Sequence, residues 1–213
     1  MIRLLRMLFF AVIVRPVLLV VLGINIRHRE RLPVDGPAII VANHNSHLDT
    51  LTLMSLFPLS DLPKIAPVAA LDYFMKPAAF RWFALNIIGI LPINRSGRTK
   101  GENPLASSMQ ALDEGRILIL FPEGTRGEPE ALAQFKKGIA HLARSKPGVP
   151  VIPVFMHGLG KALPRGSWVL VPFNCDVFVG ESFYGEESIP DFMNSLETRL
   201  DDLAHETKIP VWE

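Results

Sequence analysis

Short apolar runs alternate with amphipathic stretches along most of the chain. Short, β-rich apolar runs are typical of buried strands, and apolar residues at every third or fourth position are typical of helices. The pattern predicts strands over residues 38–42, 65–70, 90–93, 116–121 and 151–155. It predicts helices over residues 48–57, 77–88, 105–112 and 132–144. Strands that alternate with helices indicate an α/β domain whose central sheet is mostly parallel and flanked by helices.

The C-terminal part of the chain predicts a strand pair followed by a helix. Residues 168–171 and 176–179 favour the two strands. Ser188 and Asp191 resemble a capping box, which marks the start of a helix. One apolar face of that helix would consist of Ile189, Phe192, Met193, Leu196, Leu200 and Leu203. We expect this helix to pack on the core rather than to form a site.

Residues 1–31 differ from the rest of the chain. Two apolar runs, 7–14 and 17–26, are separated by Arg15 and Pro16. Proline disrupts the hydrogen bonds of a helix, and an arginine at the centre of a bilayer costs roughly 2.5–3.5 kcal/mol. We therefore expect a helix, a break and a second helix that lie in one leaflet. The alternative is an amphipathic helix that caps the core.

Composition supports a division of the chain into two parts. These are a membrane-associated helical segment, 1–31, and a globular domain, 32–213. The 213 residues suffice for one domain with a large core. Residues 1–31 hold six arginines against one glutamate, so the net charge of +1 conceals a basic N-terminus, which favours contact with a membrane. Cys175 is the only cysteine, which excludes an intramolecular disulfide. A cytoplasm-facing location is the expectation.

The strongest candidate for chemistry directly follows the strand at 38–42. A polar cluster there, 43–49, would lie at the carboxyl end of the strand, where α/β proteins usually keep their sites. Five residues at about 100° each place His44 and Asp49 roughly 140° apart on a helix, so the pair can meet only across a turn. A strand-to-helix turn provides this. His44 would then be a general base and Asp49 the carboxylate that orients its ring.

Four motifs make the chain resemble a known family. Asn43 and His44, with four residues before Asp49, are similar to the NHxxxxD signature of the lysophosphatidic-acid acyltransferases, which belong to the glycerolipid acyltransferases. The strings GILPINR at 89–95, FPEGTR at 121–126 and VPVIPV at 149–154 follow in the family's order. Together the motifs cover about residues 36–156, and FPEGTR is a specific string.

The resemblance implies transfer of a fatty acyl group to the free hydroxyl of a lysophospholipid. The donor would be a thioester of coenzyme A or acyl carrier protein, and the first expectation for the acceptor is 1-acylglycerol 3-phosphate, which gives phosphatidic acid. His44 would be the base, Asp49 its partner, and the acceptor would attack the thioester directly. Residues implied to bind the acceptor's phosphate and glycerol are Arg95, Glu123, Gly124, Thr125 and Arg126, with Lys137 as a further phosphate contact.

The expected partners follow from the same resemblance. They are a phospholipid bilayer, the lysophospholipid and the acyl donor, with no nucleic acid. The donor is a substrate, and no metal or other cofactor is expected. The protein would be associated with the cytoplasmic face of a membrane, peripheral or monotopic through residues 1–31.

Alternatives for the polar cluster stay open on the sequence. His44, His47 and Asp49 could hold a metal in a hydrolase or thioesterase, although such sites usually take further ligands from other strand ends. Ser46 could be a nucleophile, but it lacks the GxSxG-type elbow that would expose it. The resemblance selects His44 as the base and leaves His47 as a neighbour.

Alternatives for the whole function also stay open. The acceptor could be another lyso-lipid, such as a lyso-aminolipid, or glycerol 3-phosphate. A lipid carrier without catalysis would need no base, and the intact motifs argue against it. Arg95, Glu123 and Arg126 could form an ion network that only holds the loops.

Overall fold

The computed structural model describes residues 1–70, 77–93, 103–125, 127, 134–163, 169–186 and 188–207. The strands within these residues are β1 (Asn25–Arg27), β2 (Ala38–Ala42), β3 (Ile65–Ala70), β4 (Leu91–Ile93), β5 (Ile117–Leu120), β6 (Val151–His157) and β7 (Asp176–Val179). The helices are α1 (Ile2–Val21), α2 (Leu48–Ser55), α3 (Ala78–Ile88), α4 (Ala106–Asp113), α5 (Gly138–Ser145), α6 (Leu159–Ala162) and α7 (Ile189–His205). Short 3₁₀ turns lie at Arg29–Arg31 and Leu59–Lys64.

The strands form one sheet in the order β1-β7-β6-β2-β5-β3-β4, with β2 at its centre. Neighbouring strands are parallel except for β6 and β7, which are antiparallel. The predicted α/β class, with a mostly parallel sheet flanked by helices, is confirmed. Because β2, β5 and β6 run side by side in the same direction, their carboxyl ends meet at one edge of the sheet.

Each face of the sheet has its own hydrophobic core. Successive side chains of a strand point to opposite faces, and all five residues of β2 are buried. Ala38, Ile40 and Ala42 pack in the core that contains α1 and α2. Ile39 and Val41 pack in the core that contains α4, α5 and α7. The continuous apolar run of β2 therefore fits a strand covered on both sides.

Most predicted elements agree with the structure to within a few residues, but two do not. The predicted helix over 132–144 begins instead at Gly138, and the described residues 134–137 are not helical. The predicted strand pair is wrong in its described part, because residues 169–171 form no strand. β7 pairs with β6 and β1 instead. Residues 128–133 and Trp168 lie outside the described residues.

α1 is one continuous helix, so the predicted break at Arg15 and Pro16 is wrong. Its backbone widens into π-helical turns over Phe10–Val14 and Val17–Val21. Pro16 lies inside the helix, directly before the second of these segments, and wide turns of this kind accommodate a proline within a continuous helix. In length and composition, α1 is the one helix of the described chain that suffices to cross a membrane.

α1 has two apolar faces. One packs on the domain through side chains buried at every fourth position, namely Phe10, Val14, Leu18 and Leu22. The other is exposed and consists of Ile2, Leu4, Leu5, Leu8, Val12, Ile13, Leu19, Val20 and Val21. The boundary between residues 31 and 32 stays a prediction, but α1 and β1 both lie before it and both pack with the sheet.

Arg6 attaches α1 to the domain. It is buried, and its Nη2 donates to the carbonyl oxygens of Ile65 and Ile88 at 3.3 and 2.9 Å. Burial is the main reason that the pKa of Arg6 falls to about 10, so the guanidinium stays charged at neutral pH. Gly89 has φ +77, and a Cβ there would lie 2.7 Å from Arg6 Nη1. Glycine at this position therefore permits both the helix end and the close approach of the guanidinium.

Two further arginines of the N-terminal segment bind the end of α2. Arg15 Nη2 donates to the carbonyl oxygen of Phe57 at 2.7 Å. Arg29 Nη2 donates to that of Leu56 at 2.9 Å. The last carbonyls of a helix have no partner within the helix and carry partial negative charge, so arginines are stabilising there. These basic residues therefore hold the segment on the protein and are not all directed to a membrane surface.

Candidate active site

His44 and Asp49 meet at the carboxyl end of β2, the central strand. The distance between His44 Nδ1 and Asp49 Oδ2 is 2.9 Å. Asp49 lies in the first turn of α2 and is 1% exposed. A carboxylate only accepts hydrogen bonds, so the contact places the ring hydrogen on Nδ1 and the lone pair on Nε2. The turn between strand and helix thus brings together the pair that the sequence predicts.

Asp49 Oδ2 also holds the loop that carries His44. It accepts hydrogen bonds from the backbone N–H groups of Asn45 at 2.7 Å and Ser46 at 2.8 Å. One buried oxygen therefore accepts from a ring and from two consecutive peptide groups. Rotation of the carboxylate would break all three contacts, so the orientation of the imidazole is set by the backbone.

The FPEGTR loop, at the end of β5, contacts His44 on three sides. Glu123 Oε1 accepts a hydrogen bond from the His44 N–H at 3.0 Å. The Gly127 N–H donates to the His44 carbonyl oxygen at 2.9 Å. The Phe121 ring stacks on the imidazole, with 4.1 Å between centroids and 20° between planes. Because β5 is the neighbour of β2, the two motifs form a single site.

Glu123 is a buried carboxyl group, and only one of its two oxygens has a hydrogen-bond partner among the described residues. The residue is 4% exposed, and its Oε2 has no hydrogen-bond partner in the part of the chain that the structure describes. Burial raises the pKa of Glu123 to about 7, while the His44 N–H favours its ionised form. Glu123 therefore titrates near neutral pH, directly beside the histidine.

Gly124 and Lys136 form the outer part of the loop. Gly124 has φ +74, and a Cβ on it would lie 2.7 Å from Lys136 Nζ. The Lys136 N–H donates to the Pro122 carbonyl oxygen at 2.9 Å, which fixes the lysine beside the loop. Lys137, the lysine that the sequence analysis selected, is exposed and immediately precedes α5. Sequence reasoning missed Lys136, because only the starting point of α5 decides which of two adjacent lysines faces the loop.

The remaining predicted contacts of the acceptor are only partly described. Thr125 is exposed on the same loop. Arg95 and Arg126 lie outside the described residues. The predicted binding of phosphate by these arginines, and the alternative ion network with Glu123, therefore both stay predictions.

Asn43 joins β2 to β6 beyond the last strand residue. Its Nδ2 donates to the Met156 carbonyl oxygen at 2.8 Å, and its Oδ1 accepts from the Met156 N–H at 2.7 Å. The side chain thus substitutes for a peptide group in the ladder. The sequence analysis quoted Asn43 within the motif but assigned it no role, since its partner is 113 residues away.

The structure places the other polar residues of the cluster at the start of α2. Ser46 Oγ accepts from the Leu48 N–H at 3.3 Å, a local contact typical of serine in a turn. His47 is exposed. Among the residues described, no three His, Cys, Asp or Glu side chains are grouped so that they could hold a metal ion.

Comparison with known proteins finds similarity in the part of the chain that contains this site. The sequence profile of the family described as acyltransferase matches residues 23–157. The chain belongs to the acyltransferase family. The resemblance drawn from the motifs is thereby confirmed, and both the His44–Asp49 pair and the FPEGTR loop lie inside the matched region.

Several relatives are named as 1-acyl-sn-glycerol-3-phosphate acyltransferases. The chloroplastic LPAT1 of Arabidopsis thaliana is 34% identical over 167 residues, which are 78% of this chain and 45% of the relative. A relative from Pseudomonas aeruginosa is 29% identical over 192 residues, 88% of this chain and 70% of the relative. The chain spans less than half the length of several curated relatives that it matches.

A solved structure shares the fold. The crystal structure of the 1-acyl-sn-glycerophosphate acyltransferase PlsC from Thermotoga maritima superposes with a TM-score of 0.70 and 24% identity. The match covers 89% of this chain and 73% of the other. The two proteins therefore share their overall fold.

The first prediction concerns Glu123. An unfolded glutamate has an ordinary pKa of 4.5, whereas the folded value is about 7. The folded state therefore binds the proton more tightly, and this contribution to stability is present at low pH and lost as the pH rises to about 7. The side chain of Glu123→Gln does not titrate, so the variant does not lose stability in this way. Relative to the wild type it should gain about 2 kcal/mol in free energy of unfolding between pH 5 and pH 8.

Denaturant unfolding at the two pH values measures this difference. Glu197→Gln, which alters an exposed residue of α7, is the matched control and should show no such gain. Identical pH dependence for wild type and Glu123→Gln would contradict the assignment of a buried, titrating carboxyl group.

Proposed function

We propose that the protein is an O-acyltransferase that moves a fatty acyl group from a thioester to the free hydroxyl of 1-acylglycerol 3-phosphate and forms phosphatidic acid. The observation that carries the proposal is the 2.9 Å contact between His44 Nδ1 and Asp49 Oδ2, at the sheet edge of a family member. The names of the relatives support the choice of acceptor. No cofactor is part of the proposal.

His44 acts as the base in this reaction. The acceptor hydroxyl gives its proton to Nε2 while its oxygen attacks the thioester carbonyl carbon. The tetrahedral intermediate collapses, the carbon–sulfur bond breaks, and the leaving sulfur takes the proton from the imidazolium. Asp49 stabilises the positive ring that exists between the two transfers. The acceptor is itself the nucleophile, so no covalent intermediate with the protein forms.

The FPEGTR loop supplies contacts for the acceptor. Glu123 uses Oε1 for His44, and its buried Oε2, which carries a proton below a pKa of about 7, donates to an oxygen of the acceptor, because the single hydroxyl of 1-acylglycerol 3-phosphate gives its proton to His44. Lys136, beside the loop, provides a positive charge for the phosphate. The further acceptor-binding residues proposed from the motifs are Arg95, Gly124, Thr125, Arg126 and Lys137.

The exposed apolar surface of α1 and α3 supports a location at a membrane. On α3 the exposed apolar side chains are Phe80, Trp82 and Leu85. Phe9 and Phe83 join the helices through an edge-to-face contact of 5.2 Å between centroids. Because the other face of α1 packs on the domain, we propose that α1 lies along one leaflet, on the cytoplasmic side, rather than crossing the bilayer.

The second prediction tests the reaction itself. Mass spectrometry of products, from a panel of lyso-acceptors with acyl-CoA and acyl-carrier-protein donors, should show phosphatidic acid from 1-acylglycerol 3-phosphate. His44→Ala should lower turnover by at least about 10²–10⁴-fold, the usual worth of a general base. His47→Ala, three positions away and exposed, is the control that should retain activity. The reverse order of the two variants would contradict the assignment of the base.

The third prediction separates the two adjacent lysines. Lys136→Ala should raise the KM for the phosphorylated acceptor about tenfold, since a charge-assisted contact is lost, and change the donor KM less, although Lys136 also lines the cavity beside the loop. Lys137→Ala should change neither constant. Steady-state kinetics with each substrate varied in turn gives both values. A larger increase in the acceptor KM from Lys137→Ala would instead assign the phosphate contact to Lys137, the lysine predicted from the sequence.

The fourth prediction concerns the membrane surface. Val20→Glu puts a charge on the exposed face of α1 and should weaken binding to phosphatidylglycerol vesicles more than tenfold. Val34→Glu is the matched control, because Val34 is about as exposed as Val20 but lies in a loop and not on α1. Sedimentation with vesicles measures both. Labels that reach the two ends of α1 only from opposite sides of a vesicle would show a crossing helix instead.

A further inference from the structure

A cavity of about 680 Å³ lies between α4 and α5 at the carboxyl edge of the sheet. Val68, Leu120, Ile139 and Leu142 line it and belong to the core of the α4 and α5 face. The buried side of α1 belongs to the core of the opposite face. The cavity is therefore separated by the sheet from the helix that we place in the bilayer, and it is on the water side of the enzyme.

The cavity is elongated and begins at the catalytic loop. Phe121, whose ring stacks on His44, forms part of its wall. From there the lining follows one face of α5 from Gly138 to Ser145. At 1.5 Å per residue this is roughly 10 Å along the helix. The volume is within the usual range for a small-molecule pocket. A chain-like ligand in this cavity would bring one end close to His44.

Ser108 gives the cavity a polar character at depth. It lies on α4, is 1% exposed and contributes to the lining. A serine within a helix commonly bonds to the carbonyl four residues earlier. Ser108 Oγ has no hydrogen-bond partner among the residues that the structure describes. An unpaired buried hydroxyl is unfavourable, so a ligand with hydrogen-bonding groups suits this position better than an alkyl chain does.

We propose that this cavity, which we call the α4–α5 cavity, binds the phosphopantetheine arm of the acyl donor. The two amides of the arm offer partners to Ser108, and its alkyl parts contact the apolar walls. The arm is common to coenzyme A and acyl carrier protein, and both arrive from water, the side on which the cavity lies. The proposal rests on the proposed function, since a thioester donor is what brings this arm to His44.

Ser108→Ala tests the contact. It should raise the KM for the acyl donor three- to tenfold, and equally for acyl-CoA and acyl carrier protein, because the arm is the same. The acceptor KM and the preference for acyl-chain length should stay unchanged. Since the hydroxyl has no partner to lose among the described residues, the melting temperature of the free enzyme should not fall. Ser107→Ala, on the same helix but outside the lining, is the matched control.

Binding without turnover makes the test independent of the reaction. Coenzyme A and pantetheine-loaded acyl carrier protein carry the arm without an acyl chain, and each is titrated alone by calorimetry. Weaker binding of either probe to Ser108→Ala supports the proposal, even if no acyl transfer is found and the proposed function fails. Equal binding by wild type and variant, or no binding of either probe to the wild type, would overturn it.

A second variant distinguishes the arm from a fatty acyl chain. Ser108→Leu narrows the α4–α5 cavity and should weaken binding of the donor whatever the length of its acyl chain. A shift of preference towards shorter acyl chains, with coenzyme A binding retained, would assign the cavity to the acyl chain and overturn the proposal.

Discussion

The site depends on one buried carboxylate oxygen, Asp49 Oδ2. It accepts from the His44 ring and from two backbone N–H groups of the intervening loop. The chain between β2 and α2 is therefore wrapped around the group that orients the His44 ring, and folding of the loop also aligns the imidazole. A carboxylate with three donors is held far more firmly than a pair of side chains on a flexible surface. The backbone of β2 and α2 thus preorganises the orientation of the His44 imidazole.

The neighbouring strand extends this arrangement. Glu123 and Gly127 bind the N–H and the carbonyl of the same residue, His44. Such contacts are possible only because β2 and β5 are adjacent and parallel, so that their final residues emerge side by side. The order of strands, which joins segments about 80 residues apart, therefore determines the geometry of the candidate site. Asn43 adds the third strand, β6, to the same edge.

The structural features that the sequence predicts correctly are those determined by residues close together in the chain. The abrupt change from apolar to polar after Ala42 marks the end of β2, and the spacing of His44 and Asp49 requires the turn that the structure shows. β1 was not predicted, because a strand of three residues at the end of an apolar run carries no period of its own and is defined by pairing with β7. The helix break at Pro16 was wrong for a similar reason. Arg15 finds a carbonyl of α2 as its partner, which no local pattern reveals.

The N-terminal segment, which we propose binds a membrane, is also a structural part of the domain. β1 covers one edge of β7, and α1 covers apolar side chains of the sheet. A chain shortened to begin after residue 31 would therefore present an unpaired strand edge and a bare hydrophobic face to solvent. Both features favour association between chains. Any solubility gained by removing this apolar segment would thus be offset by aggregation of the remaining domain, and the protein is better handled with residues 1–31 in place.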